Sequence, residues 1–256
     1  MFRGNQTLHL SVRTHTDPGR VRANNQDWWG QFVPPDPRVL AAKGALFVVA
    51  DGMGGRAGGQ VASQLAVQHL LQAYYRDPSH AVEQSLVQAI RVANRQVYNY
   101  GQYYPAYQGM ATTMVAAVVR GREMVVAHVG DSRAYLARAN RVWPLTRDHS
   151  WVADMVAKGM LTPAEAASHP YRHVISRSVG PQPDVQAEVR RLKLAAGDAL
   201  ILCTDGLSDV VTPSEIGWAA ATLDPQRAAY TLVDWANQRG GRDNISVALA
   251  RHSGES

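Results

Sequence analysis

The chain has a single cysteine, Cys203, so no internal disulfide can form. Cys203 lies inside an apolar run, which reads as a buried core thiol rather than a nucleophile. No apolar run reaches the length of a membrane span, and residues 1–5 open nothing like a signal peptide. A cytoplasmic protein with no membrane partner is therefore expected. Lysine and arginine form no block: the formal net charge of +5 is spread along the chain, so no nucleic-acid partner is expected. This mild positive field either assists encounter with anionic substrates or serves only solubility. No His/Cys cluster stands at ligand spacing, which disfavours zinc. Internal repeats and low-complexity segments are missing too. The 256 residues suit one fairly large domain, although the length alone would also allow two.

What is present is organised around residues 46–59, LFVVADGMGGRAGG. The apolar run 46–50 reads as a buried strand that ends at Asp51. Gly52, Gly54, Gly55, Gly58 and Gly59 follow, removing side-chain bulk so that backbone can approach an ion or phosphate. Residues 60–75 then take helical spacing. Alone, this is an ordinary strand–turn–helix connection as readily as a site. The same grammar returns in residues 199–206 (ALILCTDG), 125–131 (VVAHVGD) and 240–244 (GGRDN). Four separated carboxylates, Asp51, Asp131, Asp205 and Asp243, at strand ends with glycine nearby suggest one shared hard-metal site.

Elsewhere, residues 7–16, 28–33, 110–119, 124–129, 133–138 and 141–145 read as strands, with hairpins at Gly121-Arg122 and Ala139-Asn140. Strand character resumes over 185–202, turned at residues 196–198, and closes with 245–250. Residues 34–44 read as a surface loop. Helices are expected over 80–100, 151–159, 163–168, 213–221 and 225–238, the last two with Pro in the first turn. Tyr98, Tyr100, Tyr103, Tyr104 and Tyr107 read as a solvated aromatic surface after the second long helix. Strands outnumber helices and are joined mostly by hairpins. This predicts an α+β fold of packed, mostly antiparallel sheets flanked by helices.

Three carboxylates, Asp51, Asp205 and Asp243, with a carbonyl from Gly52 would suit two Mg²⁺ or Mn²⁺ ions if they meet in space. Two such ions about 3.5–4 Å apart could activate a shared water near neutral pH. A hydrolase acting on a phosphate ester also needs a cation for the non-bridging oxygens, and Arg22 is a candidate.

In order, residues 19–27 (GRVRANNQD), 49–59 (VADGMGGRAGG), 109–113 (GMATT), 128–133 (HVGDSR), 145–150 (LTRDHS), 173–180 (HVISRSVG), 202–209 (LCTDGLSD) and 241–246 (GRDNIS) resemble the protein phosphatase 2C family in its compact bacterial form. The resemblance spans roughly residues 9–250. It implies a four-layer αββα sandwich forming one phosphatase domain over 1–256, with a flap at about 151–170 based on Ser150 and a short tail at 252–256. It implies that Asp51 bridges two metals, Gly52 binds one through its carbonyl, and Asp205 and Asp243 bind the other. Asp131 and Asp205 would hold a third, weaker ion. Arg22 would grip the substrate phosphate, while Asp27 and Asn244 would orient metal-bound waters. Phosphorylated proteins or peptides are the expected partners, together with a bacterial Ser/Thr kinase, and the chain is expected to act as a monomer.

Two positions depart from the family pattern. Gln26 stands where Glu is usual, which adds no charge and should weaken one metal. Met53 replaces a histidine proposed as general acid in eukaryotic members. His128, His149 and His173 are the nearest substitutes, each read first as structural. The function expected is hydrolysis of phosphoserine and phosphothreonine at a Mn/Mg centre. The alternatives are a phosphoprotein-binding pseudophosphatase and a metal-dependent phosphatase for small phosphate esters.

Overall fold

The structure is a computed structural model that describes residues 10–54, 58–139 and 141–252. The chain runs through β1 (Leu10–Asp17), β2 (Asp27–Phe32), α1 (Pro37–Lys43) and β3 (Ala45–Met53). Two long helices follow, α2 (Gly58–Arg76) and α3 (Val82–Tyr103). Next come β4 (Ala111–Thr112), β5 (Met114–Arg120), β6 (Glu123–Val129), β7 (Arg133–Arg138) and β8 (Arg141–Pro144). The remainder comprises α4 (Trp151–Ala157), α5 (Pro163–Ser168), β9 (Glu188–Lys193), β10 (Ala199–Cys203), α6 (Asp205–Ser208), α7 (Pro213–Thr222), α8 (Pro225–Gln238) and β11 (Ile245–His252).

One sheet has the order β1-β11-β10-β7-β8 and the other β2-β3-β5-β6-β9, with β4 added beside β3. Every described pairing is antiparallel. The central strands read as unbroken apolar runs because both of their faces are buried. In β3, Leu46, Val48 and Ala50 pack under α2 and α3, while Ala45, Phe47 and Val49 face the second sheet. In β10, Ala199, Ile201 and Cys203 pack against α7 and α8, while Leu200 and Leu202 turn inward. The result is the expected helix–sheet–sheet–helix stack. Each fully buried Val, Leu, Ile or Phe contributes about 1.5–3 kcal/mol relative to exposure.

Three local expectations change. Residues 34–44 contain α1: Asp36 accepts the Arg38 N–H, Pro37 opens the helix and the Gly44 N–H closes it on the Leu40 carbonyl. Tyr98, Tyr100 and Tyr103 belong to the end of α3, and Tyr100 and Tyr107 pack against the core. Only Tyr103 and Tyr104 stay largely solvated, at 77% and 44% exposure. The turn at residues 196–198 carries the chain between sheets, from β9 to β10. Residues 7–9, Gly55, Asn140 and the tail from residue 253 lie outside the described residues.

The stack aligns the acidic strand ends. Asp27 opens β2 directly opposite Asp51 of β3. β10 ends and β11 begins beside each other, Cys203 opposite Val247, just before Asp205 and just after Asp243. β6 ends at Val129, two residues before Asp131, paired with Met114.

Candidate metal centre

Asp51 is held by its main chain, leaving its carboxylate free to face the cluster. Its N–H donates to Thr113 Oγ1 (2.9 Å), and its carbonyl accepts from the Thr113 N–H (2.8 Å) and the Thr112 hydroxyl (2.8 Å). Gly52 follows, with its N–H on the Gln26 carbonyl at 3.2 Å. A Cβ on Gly52 would lie 2.1 Å from the Gly59 carbonyl oxygen, so α2 can approach this strand end only because the position is glycine. Asp27 is buried, and its Oδ2 accepts from the Thr204 hydroxyl at 2.9 Å. Gly206 makes the same allowance on the other sheet: a Cβ there would meet the Asn244 carbonyl oxygen at 2.0 Å. That contact draws the start of α6, with Asp205, against the start of β11.

The carboxylates converge. Asp51 and Asp205 lie close enough for each to bear on the other's ionisation. Burial, and then the charges of Asp27, Asp205, Asp131 and Asp243, hold Asp51 well above the ordinary carboxylate range. Burial likewise lifts Asp27 and Asp131 to about 7, and Asp205 to about 6. One oxygen of each of Asp27, Asp131 and Asp205 is buried without a hydrogen-bond partner. Several desolvated, mutually repelling carboxylates with unpaired oxygens are a donor set for hard divalent cations. Mg²⁺ and Mn²⁺ fit it.

Arg22 stands at the exposed rim, its Nη2 donating to Asp243 Oδ2 at 2.7 Å. Asn244 is tied to the loop between β1 and β2. Its Nδ2 donates to the Pro18 and Asn24 carbonyls, both at 2.9 Å, and its Oδ1 accepts the Gln26 N–H at 2.8 Å. Both amide hydrogens are therefore committed to the loop that carries Arg22. Gln26 donates from Nε2 to the Gly54 carbonyl at 3.3 Å.

The three histidines divide. His128 and His149 are buried and stacked at 4.5 Å, and burial lowers both, His149 to about 4. With Glu188 they form a cluster of possible ligands absent from the sequence reading. Stacked rings, 18° from parallel, direct their in-plane lone pairs side by side rather than to one point, so the cluster suits no ion. His173 is exposed, 3.6 Å from Asp209, and groups with Asp205 and Asp209 on the flank of the carboxylates. The supporting hydroxyls of Thr112, Thr113 and Thr204 were also missed; their bonds span 61 residues or more. Cys203 is inert: burial raises its thiol to about 12.

A buried, multi-carboxylate centre at one end of a helix-flanked β-sandwich defines a metal-dependent hydrolase scaffold. Residues 20–236 match the protein phosphatase 2C family, and the chain belongs to it. It is 35% identical over 244 residues to protein phosphatase PhpP of Streptococcus pneumoniae, covering 94% of this chain and 96% of that protein. It is also 35% identical over 244 residues to the serine/threonine protein phosphatase PstP of Mycobacterium tuberculosis, covering 95% of this chain but 45% of that longer protein. Among solved structures, the catalytic domain of PstP in complex with two manganese ions is similar with a TM-score of 0.83 and 33% identity, covering 97% of this chain and all of that one. The S. agalactiae serine/threonine phosphatase is similar with a TM-score of 0.87 and 34% identity, covering 95% of this chain and all of that one.

Proposed function

We propose that this chain hydrolyses phosphoserine and phosphothreonine in proteins at a Mn²⁺ or Mg²⁺ centre, countering a bacterial Ser/Thr kinase. The observation that carries this reading is the convergence of Asp27, Asp51, Asp131, Asp205 and Asp243, with unpaired buried oxygens, beneath Arg22. Asp51, the Gly52 carbonyl, Asp205 and Asp243 would hold two ions, and Asp131 with Asp205 a third. Divalent ions held there would lower the pKa of bound water well below its bulk value of about 15.7 and so supply a hydroxide nucleophile.

The chain's own residues supply the rest. The Arg22 guanidinium can hold two phosphate oxygens in a fork, its bond to Asp243 fixing its approach to the cluster. Asp27, with one oxygen on Thr204 and the other unpaired, can accept a proton from solvent held near the ions. Asn244 acts on Arg22 by pinning the residue 18–26 loop. Met53 has no ionisable proton, and His128 and His149 are buried and committed to other partners, which leaves solvent or the exposed His173, beside Asp205 and Asp209, to protonate the leaving alkoxide.

The described chain is read as one phosphatase domain, monomeric and cytoplasmic, with α4 and α5 as its flap. Trp151 at the flap's start packs on His169 and Tyr171 beyond α5. No helix among the described residues is long and apolar enough to cross a membrane.

Release of phosphate from a phosphothreonine peptide should be abolished by EDTA and restored by Mn²⁺. Asp205→Asn should lower the rate by more than the 10–100-fold typical of residues outside the ligand set. Activity that survives in chelator would refute the mechanism. Peptide binding without turnover would point to a pseudophosphatase, and faster turnover of free phosphorylated metabolites to a small-ester enzyme.

A further inference from the structure

The turn joining β6 to β7 delivers Asp131 while carrying the chain from one sheet to the other. It passes through Gly130 at φ +104°, where a Cβ would lie 2.7 Å from Cβ of Thr113. This residue has no side chain to fasten it, so the turn depends on its main-chain polar groups. Both end on one residue 19 positions later. The Gly130 N–H donates to His149 Nδ1 at 3.1 Å, and the Gly130 carbonyl accepts the His149 N–H at 3.0 Å.

We propose that His149 is a positioning residue for the Asp131 cation site, clamping Gly130 with its ring and main chain and tying that turn to the start of the flap. The proposal rests on the reading above, in which Asp131 holds a divalent ion.

The ring is fixed for this task. With Nδ1 accepting, the proton of the neutral ring lies on Nε2, which is flanked by Arg177 Nη1 at 3.3 Å and by the Glu188 carboxylate at 3.5 Å, and only Glu188 can accept it. One ring face stacks on His128, which is itself bonded through Nε2 to the Arg147 carbonyl at 2.8 Å. The far end of the turn is held in parallel: Arg133 makes a bidentate pair with Asp148 at 2.9 and 2.6 Å. Residues 148 and 149 thus grip both ends of the segment 130–133. Their other connections run to the flap. The His149 carbonyl accepts the Ser176 N–H at 2.8 Å, Ser150 caps α4, and the Trp151 N–H reaches the Val174 carbonyl at 2.8 Å. The direction of the Asp131 carboxylate follows the Gly130–Asp131 peptide plane, and a ligand must be held within about 0.5 Å to bind well.

The test is Mn²⁺ binding by the full chain, counted by calorimetry and electron paramagnetic resonance, in the wild type and in Asp131→Ala, His149→Asn and His149→Gln. Asn places its carbonyl oxygen where Nδ1 lies and keeps the bond to Gly130; Gln places its oxygen nearer Nε2 and loses it. His149→Gln should weaken the ion that Asp131→Ala removes by about 10-fold or more, leaving the other ions alone, while His149→Asn keeps it within about threefold. Wild-type binding by His149→Gln, an Asn variant as weak as the Gln variant, or an Asp131→Ala titration identical to the wild type would each overturn the proposal. Should the His149 variants fail to fold, hydrogen exchange at Gly130 of the wild type decides: a protected amide supports the clamp, and one exchanging like a free turn amide refutes it. A wild type that bound every ion yet left phosphopeptides intact would sink the proposed function without touching the clamp.

Discussion

Gln26 sits beside Asp27 at the cluster, its side-chain amide donating to the Gly54 carbonyl at 3.3 Å. It is neutral where the rest of the cluster is acidic. Gln26→Glu would give up that bond but bring a further negative oxygen towards the ions. The expected result is tighter binding, read as a fall of about 3–10-fold in the Mn²⁺ concentration giving half-maximal activity, on the scale of effects just outside a ligand set. An unchanged or higher value would mean that this position does not face an ion. Arg22 is the other residue-scale test. Arg22→Lys keeps the charge and loses the planar fork, so KM for phosphopeptide should rise about 10-fold while Mn²⁺ dependence stays put. A loss confined to kcat would place Arg22 outside ground-state phosphate binding. Arg22 and Gln26 were legible because residues 19–27 resemble a family motif in which each position carries an implied role. Asn244 was only half legible: its position was recognised, but its three bonds to residues about 220 positions away follow from the folded chain alone.

At the scale of elements, the site depends on a helix start drawn against a strand start. The contact between α6 and β11 closes to a distance that only glycine permits, with the hypothetical Cβ of Gly206 2.0 Å from the Asn244 carbonyl oxygen. Gly206→Ala must push α6 outward and move Asp205 with it. We expect a destabilisation of about 1–3 kcal/mol, measured by thermal unfolding, accompanied by weaker Mn²⁺ binding. An alanine variant that melted and bound like the wild type would show that the contact relaxes freely. Helix starts were otherwise well marked in sequence. Thr212, Pro213 and Glu215 form a capping box that opens α7, and Asp224 with Pro225 opens α8. α1 was missed because seven residues are too few to display a helical period, and its cap, Asp36, lies among prolines that equally signal a loop.

For the whole molecule, the crowding of carboxylates couples stability to pH. Asp27 and Asp131 titrate near 7 and Asp205 near 6, each above its unfolded value of about 3.9. Between those limits the folded protein without ions binds more protons than the unfolded chain, so this contribution to stability is present at low pH and lost as pH rises towards 7. In EDTA the melting temperature should therefore rise from about pH 7.5 to about pH 5.5, and saturating Mn²⁺ should reverse that order because protons compete with the ions. Burial of His128 and His149 pulls the other way below about pH 6.5, so the acids' share is the part of the slope lost in Asp27→Asn, and a slope unchanged in that variant would mean that Asp27 does not titrate in a buried site. The sequence by itself determined which strands are buried in the core, which of the longer segments are helices, and which acids stand at strand ends, because these are properties of neighbouring residues and their spacing. Only the tertiary structure decided that those acids meet, that Asn244 ties down the loop carrying Arg22, and that His149 holds the turn before Asp131. Each depends on segments far apart in the chain being brought within hydrogen-bond or charge range, and no local pattern encodes that distance.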